Sequence, residues 1–371
     1  MNRNTWQLFC NDPEVLASEA QKLLENTSDP EALAHAAELL TFTGQFQMAK
    51  RLWITGNQQY RQSEKARASL LRIKQYQHHS NPWLGLCMAD EKAWLEEIHK
   101  SFVCKKNLIA LNLGGGLGDK LEVIGLIQAL HDSWKQRIQL VVPNYAEKAI
   151  TPLLRQHQHQ HHIRWKTRQS NQDATRTNHL DLSQLVFRAL LCRVHPKLRP
   201  HPIVAKMEEK NQAPTLVCCW RAQFYPSEKL WAHLRSLDMH TIVRLYRELM
   251  PIAQQRGIRV VDITRYRKHE AKELLKRHPS GLSLAADTLN SFVDTTKHFG
   301  GNTLVASIDT SLVHLACWCG LKPVMLAHHW PDGRWFNSSW QNIDIFEQET
   351  LFDWEPPIKR LIQRLRNHQL D

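Results

Sequence analysis

From about residue 105 onward, short apolar runs alternate with longer stretches whose apolar residues recur every three or four positions. "NLIALNL", "RIQLVV" and "IRW" read as strands, with "GDKLEVIGLIQALHDSW" as the helix between the first two. After the polar stretch "TRQSNQDATRTN" comes "HLDLSQLVFRALLC", and then a proline-rich exit, "HPKLRPHPIVAK". A second cycle opens at "PTLVCCW". It continues through helix "EKLWAHLRSLDMHTIVRLYRELM", strand "IRVVDIT", helix "HEAKELLKR", strand "LVASID", helix "SLVHLACWCG" and strand "KPVMLA". Strands alternating with helices predict parallel sheets covered on both faces, and ligands of such sheets bind at the carboxyl ends of the strands.

Residues 1–100 follow a different pattern, helical throughout. "SDPEALAHAAELL" offers Asp29 as an N-cap and Pro30 at the first helical position. Gly44 separates it from "QFQMAKRLWITG", with small Ala36, Ala37 and Ala49 where two helices would touch, in the manner of a tetratricopeptide repeat. One or two such pairs bury too little surface to stand alone, so this region is expected to pack on the remainder or on a second subunit as a homo-oligomer. The expected organisation is a helical domain at 1–100, one Rossmann-like domain at 101–210 and a second at 211–371.

Composition narrows the class. The 371 residues are 42% hydrophobic and 23% charged, ordinary for a globular protein of more than one domain. No run is long and apolar enough to span a bilayer, and "MNRNTWQLFCNDPE" has no signal-peptide core, so the expected location is the cytoplasm. Eight scattered cysteines without a CxxC pair read as reduced, partly buried thiols. The net charge of +12 sits mainly in residues 101–210, which hold seventeen basic residues against eight acidic. That excess suits an anionic substrate, a lipid headgroup surface (a peripheral contact at the inner membrane surface) or nucleic acid, or is a merely solvated basic face. No motif supports nucleic acid. The histidines of "RQHQHQHHIRW" read as a polar loop before a strand, and the tryptophans at 330, 335 and 340 suit either sugar stacking or core packing.

Two strand-to-helix junctions carry the candidate chemistry. In "LNLGGGLGDKLEVI" a strand breaks into glycines and then meets Asp119 where a helix begins; glycines let the backbone turn tightly and approach a ligand. In "VASIDTSLVH", Asp309, Thr310 and Ser311 stand at a helix start with His314 about one turn further in. Free amides and the positive end of the dipole favour phosphate there. Asp, Thr and Ser are also ordinary N-caps.

"DTSLVHLACWCGLKPVMLAHHWPDGRWF" resembles the C-terminal block of family 9 glycosyltransferases, the heptosyltransferase family of the GT-B type, and especially their relatives fused to tetratricopeptide repeats. The resemblance rests on Asp-Thr-Ser-x-x-His, on Gly320 to Pro323 and on Pro331, Asp332, Gly333, Arg334 and Trp335; "GGGLGDKLEV" resembles the family's glycine loop. It implies two Rossmann-like domains facing a central cleft and a hexosyl- or heptosyltransferase using a nucleotide-diphosphate sugar. Asp119 would be the general base. Gly116 and Gly118 would line the donor loop, and Thr310, Ser311 and His314 would hold the diphosphate. Asp309 would contact the donor sugar, and Lys229, assisted by Arg221, would contact phosphate. At the end of "IRVVDIT", where the family binds the ribose with a glutamate, this chain has none and offers Asp262 as a substitute. An inverting outcome is likewise implied by the family.

Sugar transfer needs a base for the acceptor hydroxyl and positive charge for the departing diphosphate. No two aspartates are spaced i, i+2, so the DxD metal motif is absent, and no metal or further cofactor is expected. The acceptor would be a glycolipid of lipopolysaccharide type, or a protein. The alternative is a non-catalytic helical scaffold with a degenerate transferase-like module. A nicotinamide-dependent dehydrogenase fits less well, because no acid stands at a strand end about 20 positions after the glycines.

Overall fold

The computed structural model describes residues 108–158, 163–167, 179–195, 197–204, 213–222, 229–278, 280–329, 331, 335 and 339–367, with a few isolated positions before residue 50. The helical region expected at 1–100 therefore lies almost entirely outside the described residues; Ala36, Ala37 and Ala49, at its described positions, are buried.

The first sheet is built from β1 (Leu108–Asn112), β2 (Ile138–Val142), β3 (Arg164–Thr167) and β4 (His179–Ser183), in the order β3-β2-β1-β4. Helices α1 (Leu117–Gln128), α2 (Asp132–Lys135), α3 (Asn144–Gln156) and α4 (Gln184–Val194) connect and follow them. The second sheet holds β5 (Thr215–Cys219), β6 (Arg259–Asp262), β7 (Leu282–Leu284), β8 (Thr303–Ile308), β9 (Val324–Ala327) and β10 (Asp344–Glu347), in the order β10-β9-β8-β5-β6-β7. Its helices are α5 (Lys229–Leu234), α6 (Met239–Gln255), α7 (Lys268–Arg277), α8 (Phe292–Thr296), α9 (Ser311–Trp318) and α10 (Glu355–Asn367). Every strand pair is parallel.

Counted from its own first strand, the second sheet has the doubly wound order 3-2-1-4-5-6, and the first sheet has the first four strands of the same order. Each sheet therefore reverses its winding between its first and fourth strands, β1 and β4 in one and β5 and β8 in the other. In sheets of this winding, ligands bind at the carboxyl ends of the strands at such a switch point. Both sheets belong to one compact unit, Trp94–Ala327 with Trp340–Gln348 and Trp354–Asp371.

The second sheet's core shows why the sequence pattern works. In α6, Ile242, Leu245, Tyr246, Leu249, Met250 and Ala253 recur at helical spacing and are buried, packed with Leu216, Val260, Leu304 and Leu326 of the strands and with Ile358, Leu361, Ile362 and Leu365 of α10. Each fully buried leucine or isoleucine contributes about 1.5–3 kcal/mol. The expected single helix from 228 to 250 is divided: the Asp238 carboxylate accepts the Thr241 amide at 2.8 Å and starts α6 anew. No helix among the described residues is long and apolar enough to cross a membrane.

Candidate active site

The first junction leaves β1 through three glycines. Gly115 has φ +64, a conformation that strains any residue with a Cβ. Gly116 is extended and precedes α1, and its amide donates to Asp119 Oδ2 at 2.8 Å. Glycine has no side chain to return the bond, so this is the carboxylate half of a capping box. Beneath the loop lies Lys120, fully buried. Its ammonium donates to Gly114 O at 2.7 Å, Gly115 O at 2.6 Å and the Tyr145 hydroxyl at 2.7 Å, with Gly116 O a more distant acceptor at 3.4 Å. Arg188 of α4 donates to the Asp119 carbonyl at 3.2 Å and to Glu122 Oε2 at 2.8 Å, an ion pair with both side chains buried.

The second junction leaves β8 at the switch point. Thr310 is the N-cap of α9, its hydroxyl accepting the Leu312 amide at 3.3 Å. Ser307 Oγ lies 3.0 Å from Cys219 O and 2.9 Å from Thr310 Oγ1. Ser307 gives its single proton to the carbonyl, so Thr310 donates to Ser307. These bonds tie the ends of β5 and β8 together. Asp309 is buried and Ser311 half-buried at the mouth of the helix.

The two junctions meet. Helices α1 and α9 pack on one another, with Gly118 against the His314 ring. His314 is buried; its Nδ1 accepts the Trp340 indole N–H at 3.1 Å and stands 4.0 Å from Glu122 Oε2. A neutral His314 therefore carries its proton on Nε2. The Pro200–Val204 connector follows the same line, with the His201 amide donating to Gly125 O and the Ile203 amide to Trp318 O.

The structure sets Gly116, Gly118 and Asp119 at the start of α1 and Asp309, Thr310, Ser311 and His314 at the start of α9, and brings Gly118 and His314 into contact between the two helices. Arg221 lies at the end of β5. Its guanidinium pairs with Glu270 at 2.9 Å and donates through Nε to Leu237 O. Burial pushes the Glu270 carboxyl up, but the Arg267 amide and Arg221 outweigh it and hold the carboxyl below its usual range. Lys229 opens α5, and its side chain lies outside the described residues. Asp262 does not stand open for a ribose. It is fully buried, with Oδ2 accepting the hydroxyls of Tyr246 and Tyr266 at 2.6 Å each and Oδ1 accepting the Thr264 amide at 2.7 Å. Burial raises its pKa despite these donors.

The four described cysteines, Cys218, Cys219, Cys317 and Cys319, are free and buried, and burial pushes the Cys219 thiol up to about 12. Among the described residues no three His, Cys, Asp or Glu side chains gather as metal ligands. In the histidine-rich stretch, His159, His161 and His162 lie outside the described residues, while His157 packs edge-on to Trp318. Of the three tryptophans, Trp330 lies outside the described residues, Trp335 is buried, and Trp340 supports His314 rather than facing solvent.

No family model matches the chain, and no curated protein matches it in sequence. Among solved structures it is similar to the E. coli ADP-heptose LPS heptosyltransferase II, at 13% identity, covering 70% of this chain and 97% of that one with a TM-score of 0.42. It is also similar to the dodecameric iron-containing heptosyltransferase TibC of enterotoxigenic E. coli, at 12% identity over 71% of this chain and 73% of that one with a TM-score of 0.42. A third likeness is to the O-GlcNAc transferase of Thermobaculum terrenum, at 12% identity over 96% and 82% of the two chains with a TM-score of 0.32. These likenesses assign no role to any residue here.

Sequence reasoning missed Lys120, Glu122, Arg188, Tyr145 and the bond from Trp340. Lys120 and Glu122 follow the glycine motif directly, and their charges in an otherwise apolar helix were the available signal. Arg188 and Tyr145 reach the site only through the parallel pairing of β1 with β4 and β2.

Proposed function

We propose that the chain transfers a sugar from a nucleotide-diphosphate donor to a hydroxyl of an anionic glycolipid or a protein. The acceptor oxygen attacks the anomeric carbon and its proton passes to Asp119. The bond from that carbon to the diphosphate breaks, inverting the centre. The departing charge falls on the amino end of α9, with Thr310, Ser311 and Lys229, so the step requires no metal. In this reading residues 101–210 receive the acceptor, 211–371 hold the donor, and the basic excess of the former attracts a phosphorylated acceptor.

The observation that carries the reading is the packing of Gly118 on His314, which joins the helix bearing Asp119 to the helix whose amino end would take the diphosphate. Thermal shift against ADP, UDP, GDP and CDP and their sugars tests it. The expected result is stabilisation by one nucleotide class, reduced at least tenfold in apparent affinity by Thr310→Val or Lys229→Ala. Silence across the panel would overturn it.

The alternative, a non-catalytic module, draws on a specific observation as well. The Asp119 carboxylate caps α1 and the Thr310 hydroxyl caps α9, local duties that need no substrate. Release of free nucleotide diphosphate from the stabilising donor distinguishes the two.

A further inference from the structure

Tyr145 inverts the usual arrangement of a surface tyrosine. Such residues bury the ring and leave the hydroxyl to water. Tyr145, second residue of α3, is 63% exposed, yet its hydroxyl is bound twice by protein. It accepts from the buried Lys120 ammonium at 2.7 Å and donates to Gly115 O at 2.9 Å. The ammonium lies 4.6 Å from the ring centroid, on the hydroxyl side. One end of the ring is therefore clamped by a charge-assisted bond, while most of the residue remains exposed.

The clamp ties the Tyr145 hydroxyl to the same glycine loop that binds the proposed base. Strands β1 and β2 pair in parallel, Asn112 with Val141, so the glycine loop and the start of α3 leave the sheet side by side. Gly115 receives the Tyr145 hydroxyl on its carbonyl, and a Cβ built on the same residue would stand 2.7 Å from Asp119 Oδ2. Tyr145 and Asp119 thus flank one glycine, both held to the loop that Lys120 gathers.

We propose that Tyr145 is the stacking platform for the pyranose ring of the acceptor, held ready by Lys120. The inference rests on the transfer reading given above. An aromatic face takes the C–H face of a sugar, and a ring already immobilised loses little entropy on binding. The occupant is on the acceptor side because the platform stands on the sheet that carries Asp119, whose task is the acceptor hydroxyl. The donor's diphosphate belongs to α9 on the other sheet.

The test uses the full chain labelled with 3-fluorotyrosine, which gives six fluorine signals, with that of Tyr145 identified by its loss in Tyr145→Phe. Methyl α-mannopyranoside, methyl β-glucopyranoside, methyl β-galactopyranoside and a methyl heptopyranoside are titrated singly, then ADP, UDP, GDP and CDP. The expected result is a saturable shift of the Tyr145 signal with at least one glycoside. Tyr145→Ala, which lacks the reporting ring and is followed by isothermal titration calorimetry alongside the parent, should weaken that glycoside at least tenfold. Lys120→Met, which keeps the ring but frees it, should weaken it at least threefold with the melting curve still cooperative. No saturable shift with any glycoside overturns the platform, as does a shift produced by nucleotides alone, which would make the ring a nucleobase site. If nucleotides still stabilise the protein in either case, the transfer reading stands without the platform. If they do not, both fall.

Discussion

A Cβ placed on Gly118 would come 2.4 Å from Cδ2 of His314, closer than packed carbons approach. The imidazole cannot easily give way, because Trp340 holds its Nδ1. Gly118→Ala should therefore separate α1 from α9 and cost about 1–3 kcal/mol in urea unfolding, as overpacking does. A variant as stable as the parent would show that the two helices are not locked by this contact.

The Arg188–Glu122 pair is buried at 3% and 1% side-chain exposure. Removing one member leaves a charge in the interior, so Arg188→Met should cost about 3–5 kcal/mol. Adding Glu122→Met should recover much of that loss, since two apolar chains replace two desolvated charges. Failure of the double variant to recover would point to the Arg188 bond to the Asp119 carbonyl as the contribution that matters.

Buried parallel strands announce themselves as apolar runs, which is why β1, β2, β5, β6, β8 and β9 are legible in the amino-acid sequence. The strands β7 and β10 are not, because each lies at a sheet edge and mixes polar with apolar residues, as in "DIFE". The final helix, α10, also escapes the sequence reading, although Ile358, Leu361, Ile362 and Leu365 mark its buried face. At the site, the glycine loop and the Thr310 cap are visible as local chemistry. Lys120 is not, because a lysine is almost never fully buried unless paired, and its acceptors arise only when the loop folds over it. The expectation for Asp262 fails for the converse reason: an acid at a strand end suggests an open ligand contact, but Tyr246 and Tyr266 close over it.

Glu347 ends the edge strand β10, half-buried, and burial pushes its carboxyl up to about 7. A raised carboxyl binds its proton more tightly in the folded state, so its contribution is fully present below the unfolded value near 4.5 and is lost as pH rises through 7. Glu347→Gln should match the parent near pH 4.5 and exceed it in urea midpoint by pH 8. Asp262 acts with the same sign, so the difference between variant and parent, rather than either curve alone, is the measurement. Parallel curves across that range would show that solvent reaches Glu347 well enough to keep it ordinary.

Asp119 performs two tasks that two substitutions can separate. Its carboxylate accepts the Gly116 amide, and in the transfer reading it also takes the acceptor proton. An asparagine at this position would keep an oxygen for that amide and lose only the favourable charge at the helix start, so Asp119→Asn should cost about 0.3–1 kcal/mol. Asp119→Ala gives up the bond too, at roughly 1 kcal/mol more. Both should slow release of nucleotide diphosphate in the presence of acceptor by about 10²–10⁴-fold, since neither side chain can accept a proton. A rate that follows stability, falling little in Asp119→Asn and further in Asp119→Ala, would make Asp119 a cap and leave the base to be sought elsewhere.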